Sequence, residues 1–276
     1  MRVRLCGVRG STPAPGPDFV RYGGHTSCVA ISRGSEPPAL VLDGGTGLRE
    51  LSRVLEGRAF HGSILLGHLH WDHTHGLPFF AAGDREDARV HVYLPAQGDP
   101  EAVVARAISP PHFPVRLTQL RGDWRIDGLE AGHHMIEGFD VLARDIPHKG
   151  GRTFGFRVSD GDVSLAYLSD HAPGGLDPDA SGLGEYHDAA LDLAGGADLL
   201  LHDAQHTAAE YARLRHFGHS AVEYAVGLAE KAGVGRLLLF HHDPARTDEE
   251  IDALVAGAQR DGLVVGAAAQ GMTIDL

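Results

Sequence analysis

The sequence ILLGHLHWDH, residues 64–73, carries the strongest indication of fold and function in this chain. An apolar run, typical of a buried strand, ends in a segment with three histidines and an aspartate. His68 and His70 are two residues apart, so on a strand or its extended exit their side chains face the same side. Asp72 and His73 follow where the chain turns. Because imidazole nitrogen and carboxylate oxygen are donors that Zn²⁺ accepts, we predict a metal site here.

The spacing of this segment favours two ions over one. Four donors within six residues would surround a single tetrahedral ion only with strain, whereas two ions can share the turn. The alternative is a polar, solvated turn in a chain that happens to contain 19 histidines. The apolar strand that runs right up to the motif indicates burial and argues against that alternative.

The distribution of apolar runs predicts an α/β fold. Strands come first and strand–helix alternation follows, with the layout roughly repeated in the two halves, which indicates sheets packed face to face with helices outside. Predicted strands ending at residues 70, 148, 170 and 241 each deliver a histidine or aspartate, and sites tend to be built at such strand ends. The predicted strands are 3–8, 28–32, 39–43, 63–70, 89–95, 139–148, 151–160, 162–170, 197–204 and 236–244, with more after 262. The predicted helices lie within 44–57, 76–83, 100–109, 207–215, 220–232 and 247–260.

Composition restricts the substrate and the compartment. The formal net charge is −13 and the only lysines are Lys149 and Lys231, so a polyanion such as nucleic acid fits less well than a small substrate. No apolar run reaches the roughly 18 residues that span a bilayer, and the N-terminus lacks the features of a signal peptide. We therefore expect a cytoplasmic protein without membrane association, folded as one domain over residues 1–276. In that compartment Cys6 and Cys28 are expected to be reduced.

The motif H-x-H-x-D-H after an apolar strand resembles the signature of the metallo-β-lactamase superfamily. Further stretches, in the expected order, are similar to its tRNase Z and phosphodiesterase branch, and the resemblance spans nearly the whole chain. These stretches are RGSTPAPG (9–16), YGGHTSC (22–28), LVLDGGTG (40–47), HKGGRTFGFRV (148–158), LLLHDAQHT (199–207) and FGHSA (217–221). The resemblance implies a four-layer αβ/βα sandwich of two mixed sheets with outer helices.

The resemblance also implies two metal ions and their ligands. The implied ligands are His68, His70 and His148 for one ion, Asp72, His73 and His241 for the second, and Asp170 as the bridge. His242 is the alternative to His241, which we prefer because it comes first after the apolar run. Zn²⁺ is the first choice of metal, and Mn²⁺ or Fe would accept the same ligands. The relatives also suggest a homodimer.

A site of this kind implies hydrolysis by a hydroxide that bridges the two ions. Two cations about 3.5–4 Å apart lower the pKa of a bridging water towards neutrality, and Asp72 can both ligate a metal and orient that hydroxide. His219, paired with Asp203, resembles the pair that donates a proton to the leaving group in the tRNase Z branch, where a glutamate replaces this aspartate. Alternatively, His219 caps the helix that begins near Ser220, and Asp203 is the hydrogen-bond partner of a ligand histidine.

Several other polar residues have more than one interpretation. Asp43 is either the hydrogen-bond acceptor of a ligand histidine or an ordinary turn residue. The GGTG segment after it is either a phosphate-binding loop or a tight turn, and a turn is favoured. His25 stands where the relatives have asparagine, and its role is open. The histidines taken as structural or solvated are His133, His134, His187, His202, His206 and His216.

Taken together, these features favour a phosphodiesterase that acts on small or cyclic phosphodiesters. The alternatives are an RNA-processing endonuclease of the tRNase Z type, a thioester or lactone hydrolase, and a metal-loaded binding module without turnover. The acidic charge, and the lack of a basic arm between His73 and His148, argue against RNA. The segments around Asp203 and His219 argue against a thioesterase, and the filled ligand positions argue against a module without turnover.

Overall fold

The computed structural model describes residues 1–174 and 182–276. In these residues two seven-stranded sheets face each other. The strands are β1 (Arg2–Gly7), β2 (Cys28–Ser32), β3 (Leu40–Leu42), β4 (His61–Leu65), β5 (Arg89–Pro95), β6 (Asp123–Leu129), β7 (Gly132–Ile136), β8 (Phe139–Asp145), β9 (Phe154–Ser159), β10 (Ser164–Leu168), β11 (Leu199–Asp203), β12 (Arg236–Phe240), β13 (Val264–Ala267) and β14 (Thr273–Asp275).

Both sheets are mixed. The strand order is β14-β1-β2-β3-β4-β5-β6 in the first sheet and β13-β12-β11-β10-β9-β8-β7 in the second. In the first, β14 to β3 pair antiparallel and β3 to β6 pair parallel. In the second, β7 to β10 pair antiparallel and β10 to β13 pair parallel. Each sheet therefore combines an antiparallel half with a parallel half.

Helices cover the outer faces of the two sheets. They are α1 (Leu48–Val54), α2 (Trp71–Thr74), α3 (Pro100–Ala105), α4 (Asp188–Ala194), α5 (Ala208–Leu214), α6 (Val222–Ala232) and α7 (Asp248–Gly257). α1 and α3 pack on the first sheet, and α4, α6 and α7 pack on the second. Between the sheets lies a core of fully buried side chains such as Leu5, Ile31, Phe156, Leu201 and Phe240. The predicted four-layer sandwich is therefore confirmed.

The apolar runs predict most helices and strands correctly, but they do not predict β6, β7, α4 or the four-residue helix α2. The strand β6 alternates buried Trp124 and Ile126 with exposed charged residues at the edge of its sheet. The strand β7 is an edge strand in which His133 and Met135 are exposed. The helix α4 buries only Ala190, Leu193 and Ala194. Edge elements bury less apolar surface, so their sequence signal is weaker.

The predicted strands that lead to the site residues extend past the C-terminal ends of the observed strands. β4, β8, β10 and β12 end at Leu65, Asp145, Leu168 and Phe240, and the polar residues lie on the loops that follow. Likewise, the predicted helix within 76–83 is only a short 3-10 turn at Leu77–Phe79. Strand pairing stops before the histidines because their side chains and backbone turn towards each other at the sheet edge.

Two further expectations concern the cysteines and membrane association. Cys6 and Cys28 are both buried free thiols that are not joined by a disulfide. Burial raises the pKa of the Cys28 thiol, which keeps it protonated and unreactive. Within residues 1–174 and 182–276, no helix combines the length and apolar character needed to cross a bilayer.

Candidate metal centre

The predicted site residues meet at one edge of the sandwich. β8, β10, β11 and β12 run in the same direction, so their carboxyl ends share that edge. His148, Asp170 and His241 follow three of these strands directly or within a short loop. From the other sheet, β4 leads through a loop to His68 and into α2, which begins with the motif residues. The convergence expected from strand ends is thus present, although the residues lie beyond the strands, Asp72 and His73 on α2 and the others on loops.

His68, His70 and His148 form the first of two groups of donor atoms, which we call the histidine group. Their ligand-type nitrogen atoms lie within 4.8 Å of one another. His148 Nε2 is 3.3 Å from His70 Nδ1, and His148 Nδ1 donates to the carbonyl oxygen of Gly218 at 2.6 Å. That bond fixes the ring so that Nε2 points to the group.

Asp72, His73, Asp170 and His241 form the second group, the acidic group, and all four side chains are buried. His73 Nε2 lies 3.2 Å from Asp72 Oδ2 and 3.0 Å from Asp170 Oδ2. His241 Nε2 lies 3.1 Å from Asp72 Oδ2 and 3.3 Å from Asp170 Oδ2. Two imidazoles and two carboxylates therefore point at a common centre.

Asp170 lies between the two groups. Its Oδ2 atom belongs to the acidic group, while its Oδ1 atom is 3.6 Å from His148 Nε2 and 3.9 Å from His68 Nε2. A carboxylate with one oxygen towards each group is the arrangement expected of a residue that bridges two cations.

The donor atoms fit a metal because several of them lack any other partner. Among the described residues, buried atoms without a hydrogen bond include both ring nitrogens of His68, Nε2 of His73 and Oδ2 of Asp170. An unpaired buried polar atom costs about 1–3 kcal/mol. Nitrogen and oxygen donors of this kind are the ligands of Zn²⁺, Mn²⁺ and Fe, so the set fits a pair of divalent cations.

The electrostatic environments of the two groups are opposite. Burial lowers the pKa of His241, but the carboxylates of Asp170 and Asp72 outweigh it and raise that pKa to about 9. His73 behaves in the same way, with a pKa held well above its usual range. In the histidine group burial dominates, so it lowers the pKa of His148 to about 4 and that of His68 well below its usual range.

Asp43 supports the acidic group from behind. Its Oδ2 atom accepts from His73 Nδ1 at 2.7 Å and from the hydroxyl of Tyr167 at 2.6 Å, and its Oδ1 atom accepts from the backbone N–H of Gly67 at 2.7 Å. These bonds orient the ring of His73. Of the two interpretations of Asp43, acceptor for a histidine of the site is therefore the one that the contacts support.

Two residues that sequence reasoning did not assign hold the other side of the acidic group. The backbone N–H of Ser11 donates to Asp72 Oδ2 at 2.7 Å. His241 Nδ1 lies 3.1 Å from Gln205 Oε1, and Gln205 Nε2 donates to Ser11 Oγ at 3.2 Å. In the sequence, Ser11 and Gln205 stand out only because they lie in the RGST and HDAQ stretches. The composition of these stretches does not indicate that either residue supports the site.

His241 has an unusual backbone. Its φ of 56° lies in the left-handed region, and the ring packs against Gly10, where a Cβ would be 2.3 Å from Nδ1. A non-glycine residue held at positive φ is uncommon, and such strain concentrates at functional sites. The glycine at position 10 is required by this close approach.

His219 and Asp203 are paired beside the two groups. His219 Nδ1 is 3.0 Å from Asp203 Oδ2, and Asp203 also accepts from the backbone N–H groups of His171 and Gln205. The adjacent helix α6 begins at Val222 with no side-chain cap, so the interpretation of His219 as a helix cap is wrong. His219 Nδ1 also lies 3.7 Å from Asp170 Oδ1, which places the pair at the edge of the metal centre.

The remaining sequence candidates lie apart from the centre. His242 Nε2 lies 2.9 Å from the carbonyl oxygen of Ala268, and burial lowers its pKa to about 3. His25 Nδ1 lies 3.2 Å from Thr46 Oγ1. The backbone N–H of Gly44 in the GGTG segment donates to the carbonyl oxygen of His73 at 2.8 Å, as expected of a tight turn that supports the motif.

A cleft of about 630 Å³ opens onto the metal centre. Its polar lining comes from both groups and their neighbours, and its apolar lining from loops around them. The polar lining residues include Asp72, Asp170, His206, His219 and Asp243. The apolar lining residues are Leu69, Trp71, Leu214, Phe217 and Pro244. The volume suits a small substrate.

Comparison with known proteins identifies the family. The sequence matches the β-lactamase superfamily domain over residues 40–242, which is well over half of the chain. The chain therefore belongs to this superfamily. With its fold and its cluster of metal-type ligands, it is a metal-dependent hydrolase of the metallo-β-lactamase fold.

Individual relatives support the same assignment. Ribonuclease BN of Escherichia coli (strain ATCC 8739) is 34% identical over 113 residues, which are 41% of this chain and 28% of the ribonuclease. The match thus spans less than a third of that relative. The short form of human tRNase Z superposes with a TM-score of 0.68 at 20% identity, covering 100% of this chain and 99% of that one. A diphosphatase of the PhnP family gives 0.67 at 18% identity, covering 100% and 97%. At these identities the two structures establish the fold.

Proposed function

We propose that this protein is a binuclear phosphodiesterase that hydrolyses small phosphodiesters, with Zn²⁺ as the first choice of metal. The observation that carries the proposal is the pair of donor groups that share Asp170 at the floor of the cleft, with unpaired buried donor atoms in each. The ribonuclease, the tRNase Z and the diphosphatase named above all bear names of enzymes that cleave phosphate esters or anhydrides, which supports the reaction class.

The seven donors divide between two ions. His68, His70 and His148 would hold one, Asp72, His73 and His241 the other, and Asp170 both. Such a pair, when bound, supplies a hydroxide at neutral pH and neutralises charge on the phosphoryl oxygens. Asp72 is fixed by the N–H of Ser11, so its carboxylate keeps one orientation during turnover.

His219 is assigned as the proton donor to the leaving group. Asp203 accepts from Nδ1 at 3.0 Å, which leaves Nε2 for the substrate. Asp203 is held by two backbone N–H groups, those of His171 and Gln205, and therefore cannot turn away. A leaving alkoxide needs this proton because its own basicity would otherwise reverse the reaction.

The first experiment measures metal content together with hydrolysis of a chromogenic phosphodiester. Purified protein, chelator-stripped protein, and protein reloaded with Zn²⁺, Mn²⁺ or Fe²⁺ are compared. We expect about two metal ions per chain, loss of hydrolysis on stripping and recovery on reloading. If the protein binds two metal ions but does not hydrolyse the phosphodiester, we would assign it to thioester or lactone hydrolysis, or to a binding module without turnover. No metal uptake would contradict the ligand assignment.

A second experiment separates His219 as a proton donor from His219 as a ligand. His219 could also ligate, since its Nδ1 is close to Asp170. On a diester with an alkyl leaving group, we expect His219→Ala to keep both metal ions and to lose about 10²–10⁴-fold in kcat, with a much smaller loss on a 4-nitrophenyl ester, whose leaving group needs no proton. His216→Ala, an exposed neighbour, is the matched control. Loss of one ion in His219→Ala would make the residue a ligand, and an unchanged kcat would remove it from the mechanism.

RNA cleavage is the second candidate function, and the partial match to ribonuclease BN favours it. It would require cations along the cleft to hold the RNA backbone. Among the described residues none of the cleft-lining side chains is a lysine or arginine. A short structured RNA with a 3′ extension therefore belongs in the substrate panel, and faster turnover of it than of a small diester would favour this candidate.

A further inference from the structure

The lining of the cleft includes five apolar side chains, two of which are exposed aromatic groups. They are Leu69, Trp71, Leu214, Phe217 and Pro244. Trp71 is 66% exposed and Phe217 is 54% exposed, although most large aromatic side chains of the described residues are buried. Exposed aromatic groups grouped beside reactive residues are typical of a ligand-binding surface.

Trp71 is held in place within the motif itself. Its ring stacks on that of His75, with centroids 5.4 Å apart and planes 18° from parallel. It also begins α2, the short helix that carries Asp72 and His73. A flat group bound against Trp71 would therefore lie next to the acidic group.

The charge of the cleft limits the charge of the ligand. Asp243 lines the cleft in addition to Asp72 and Asp170, and no lysine or arginine among the described residues does so. Two divalent cations would carry four positive charges, which balance the carboxylates of Asp72 and Asp170, the hydroxide and one phosphodiester charge. A ligand with further negative charges would find no lysine or arginine among the described lining residues and would be repelled by Asp243.

His206 provides an independent indication of a ligand. It lines the cleft, is only 2% exposed, and neither ring nitrogen has a hydrogen-bond partner among the described residues. Its backbone is fixed, since its N–H donates to the carbonyl oxygen of Ser220 at 3.1 Å and its carbonyl accepts from Val222 at 2.9 Å. Buried polar groups without hydrogen-bond partners are rare. A ligand bound in the cleft would supply the hydrogen-bond partner that the ring of His206 lacks.

From these observations we infer that the cleft selects singly charged phosphodiesters that carry a flat aromatic ester group. The aromatic group binds against Trp71 and Phe217, and His206 hydrogen-bonds the polar part of the same ligand. This inference rests on the proposed function for the reaction and adds the class of substrate. Stacking on aromatic side chains supplies the binding energy, and the single charge matches the cleft.

Two substrates with the same leaving group test it by hydrolysis. Phenyl 4-nitrophenyl phosphate and methyl 4-nitrophenyl phosphate have the same charge and release the same 4-nitrophenolate, so they differ only in the retained ester, which is the group that we place against Trp71 and Phe217. We expect the phenyl ester to have a KM about tenfold lower in the metal-loaded protein. Trp71→Ala and Phe217→Ala should bring the two KM values together. Phe79→Ala, which removes an aromatic side chain that is 69% exposed and lies outside the cleft lining, should keep the difference.

Binding is measured separately with ligands that cannot be hydrolysed. Diphenylphosphinate and dimethylphosphinate carry one negative charge and only carbon–phosphorus bonds to their substituents. The chain has two tryptophans, and the other, Trp124, is buried. We therefore expect diphenylphosphinate to change the fluorescence of Trp71 and to bind about tenfold more tightly than dimethylphosphinate. His206→Phe should weaken both ligands about tenfold without changing their ratio, and His206→Gln should restore part of the affinity.

The outcomes distinguish the two proposals. Tight binding of diphenylphosphinate without turnover of either diester would overturn the proposed function and leave the aromatic subsite standing. Turnover of both diesters with equal KM, and equal phosphinate affinities, would overturn the subsite and leave the phosphodiesterase standing. Unchanged affinities in His206→Phe would remove the histidine from the subsite. Stronger binding of a doubly charged phosphate monoester than of the diester would contradict the charge argument.

Discussion

The two donor groups that meet at Asp170 are built from similar residues but differ in charge. The histidine group consists of imidazoles alone, and burial lowers the pKa of His148 to about 4. The acidic group places two carboxylates around its imidazoles, and these raise the pKa of His241 to about 9 although the ring is fully buried. Without metal, the first group is thus neutral at pH 7, while the second holds protons that balance its carboxylates.

The acidic group must therefore release protons when it binds a metal cation, whereas the histidine group can bind a cation without releasing a proton. Metal binding requires deprotonated ligands, so the two groups should respond differently to pH and to substitutions nearby.

Asp170→Asn should have the largest effect because Asp170 contacts both groups. Asparagine has almost the same shape but no charge, so the fold should persist while both ions bind weakly. We expect metal content to fall below one ion per chain and phosphodiester hydrolysis to fall at least about a thousandfold. Metal analysis and single-substrate kinetics measure this, with the exposed Asp162→Asn as the control. Retention of both ions would show that Asp170 is not the bridge.

Metal affinity should depend on pH much more strongly at the acidic group. The folded pKa of His241 is raised above its ordinary value, so its proton stabilises the metal-free protein at low pH and competes with the metal. Affinity should therefore rise with pH by up to about tenfold per pH unit for each proton displaced, up to about pH 9 for the proton of His241 and over a wider range for that of His73. The histidine group, where the pKa of His148 is about 4, should bind with little change above pH 6. Competition with a chromogenic chelator at several pH values measures both affinities, and a parallel rise at the two groups would contradict the contrast.

Asp43→Asn should weaken only the acidic group. Asp43 orients His73 through a 2.7 Å hydrogen bond, and asparagine tolerates its backbone φ of 63°. Loss of such an orienting acceptor lowers metal affinity about 10–100-fold, so we expect that loss at one ion and not at the other. The same chelator competition gives the result. Equal weakening at both ions would mean that Asp43 acts on general stability instead.

Tyr167→Phe should have the smallest effect. It removes one hydrogen bond to Asp43, that from the Tyr167 hydroxyl at 2.6 Å, while the bonds from His73 and Gly67 remain. The free energy of unfolding should fall by about 1 kcal/mol. For a chain of this length the melting temperature would drop by roughly 2–4 °C, measured by calorimetry on metal-free protein. A loss of metal affinity as large as that of Asp43→Asn would show that the hydroxyl, too, controls the orientation of His73.

The sequence predicts the central strands of the two sheets, but it does not predict the elements at the sheet edges or the exact ends of the strands. β2 and β5 coincide with their predicted limits because both have a strong strand pattern. β2 is buried throughout, and β5 alternates buried Val90, Val92 and Leu94 with less buried residues. β7 and α4 escaped prediction because they lie at the edge or on the surface, where fewer apolar residues are needed. The ends of β4 and β8 were placed too late, since hydrogen bonding between strands, not hydrophobicity, decides where a strand stops.

The sequence by itself determined which atoms can serve the metal centre. The spacing of His68, His70, Asp72 and His73 after an apolar run, with polar residues after three later runs, indicated the chemistry before any contact was known. Local patterns carry this information because ligand type and strand periodicity are properties of neighbouring residues.

Only the tertiary structure decided which of those atoms meet, and in what charge state. The contacts of Asp170 with both groups, the placement of Gln205 and Ser11, and the free ring of His206 join residues far apart in the chain. The opposite pKa shifts at His241 and His148 arise from burial and from carboxylates brought close by folding. Distances and burial are set by the packing of the two sheets, so no reading of local sequence contains them.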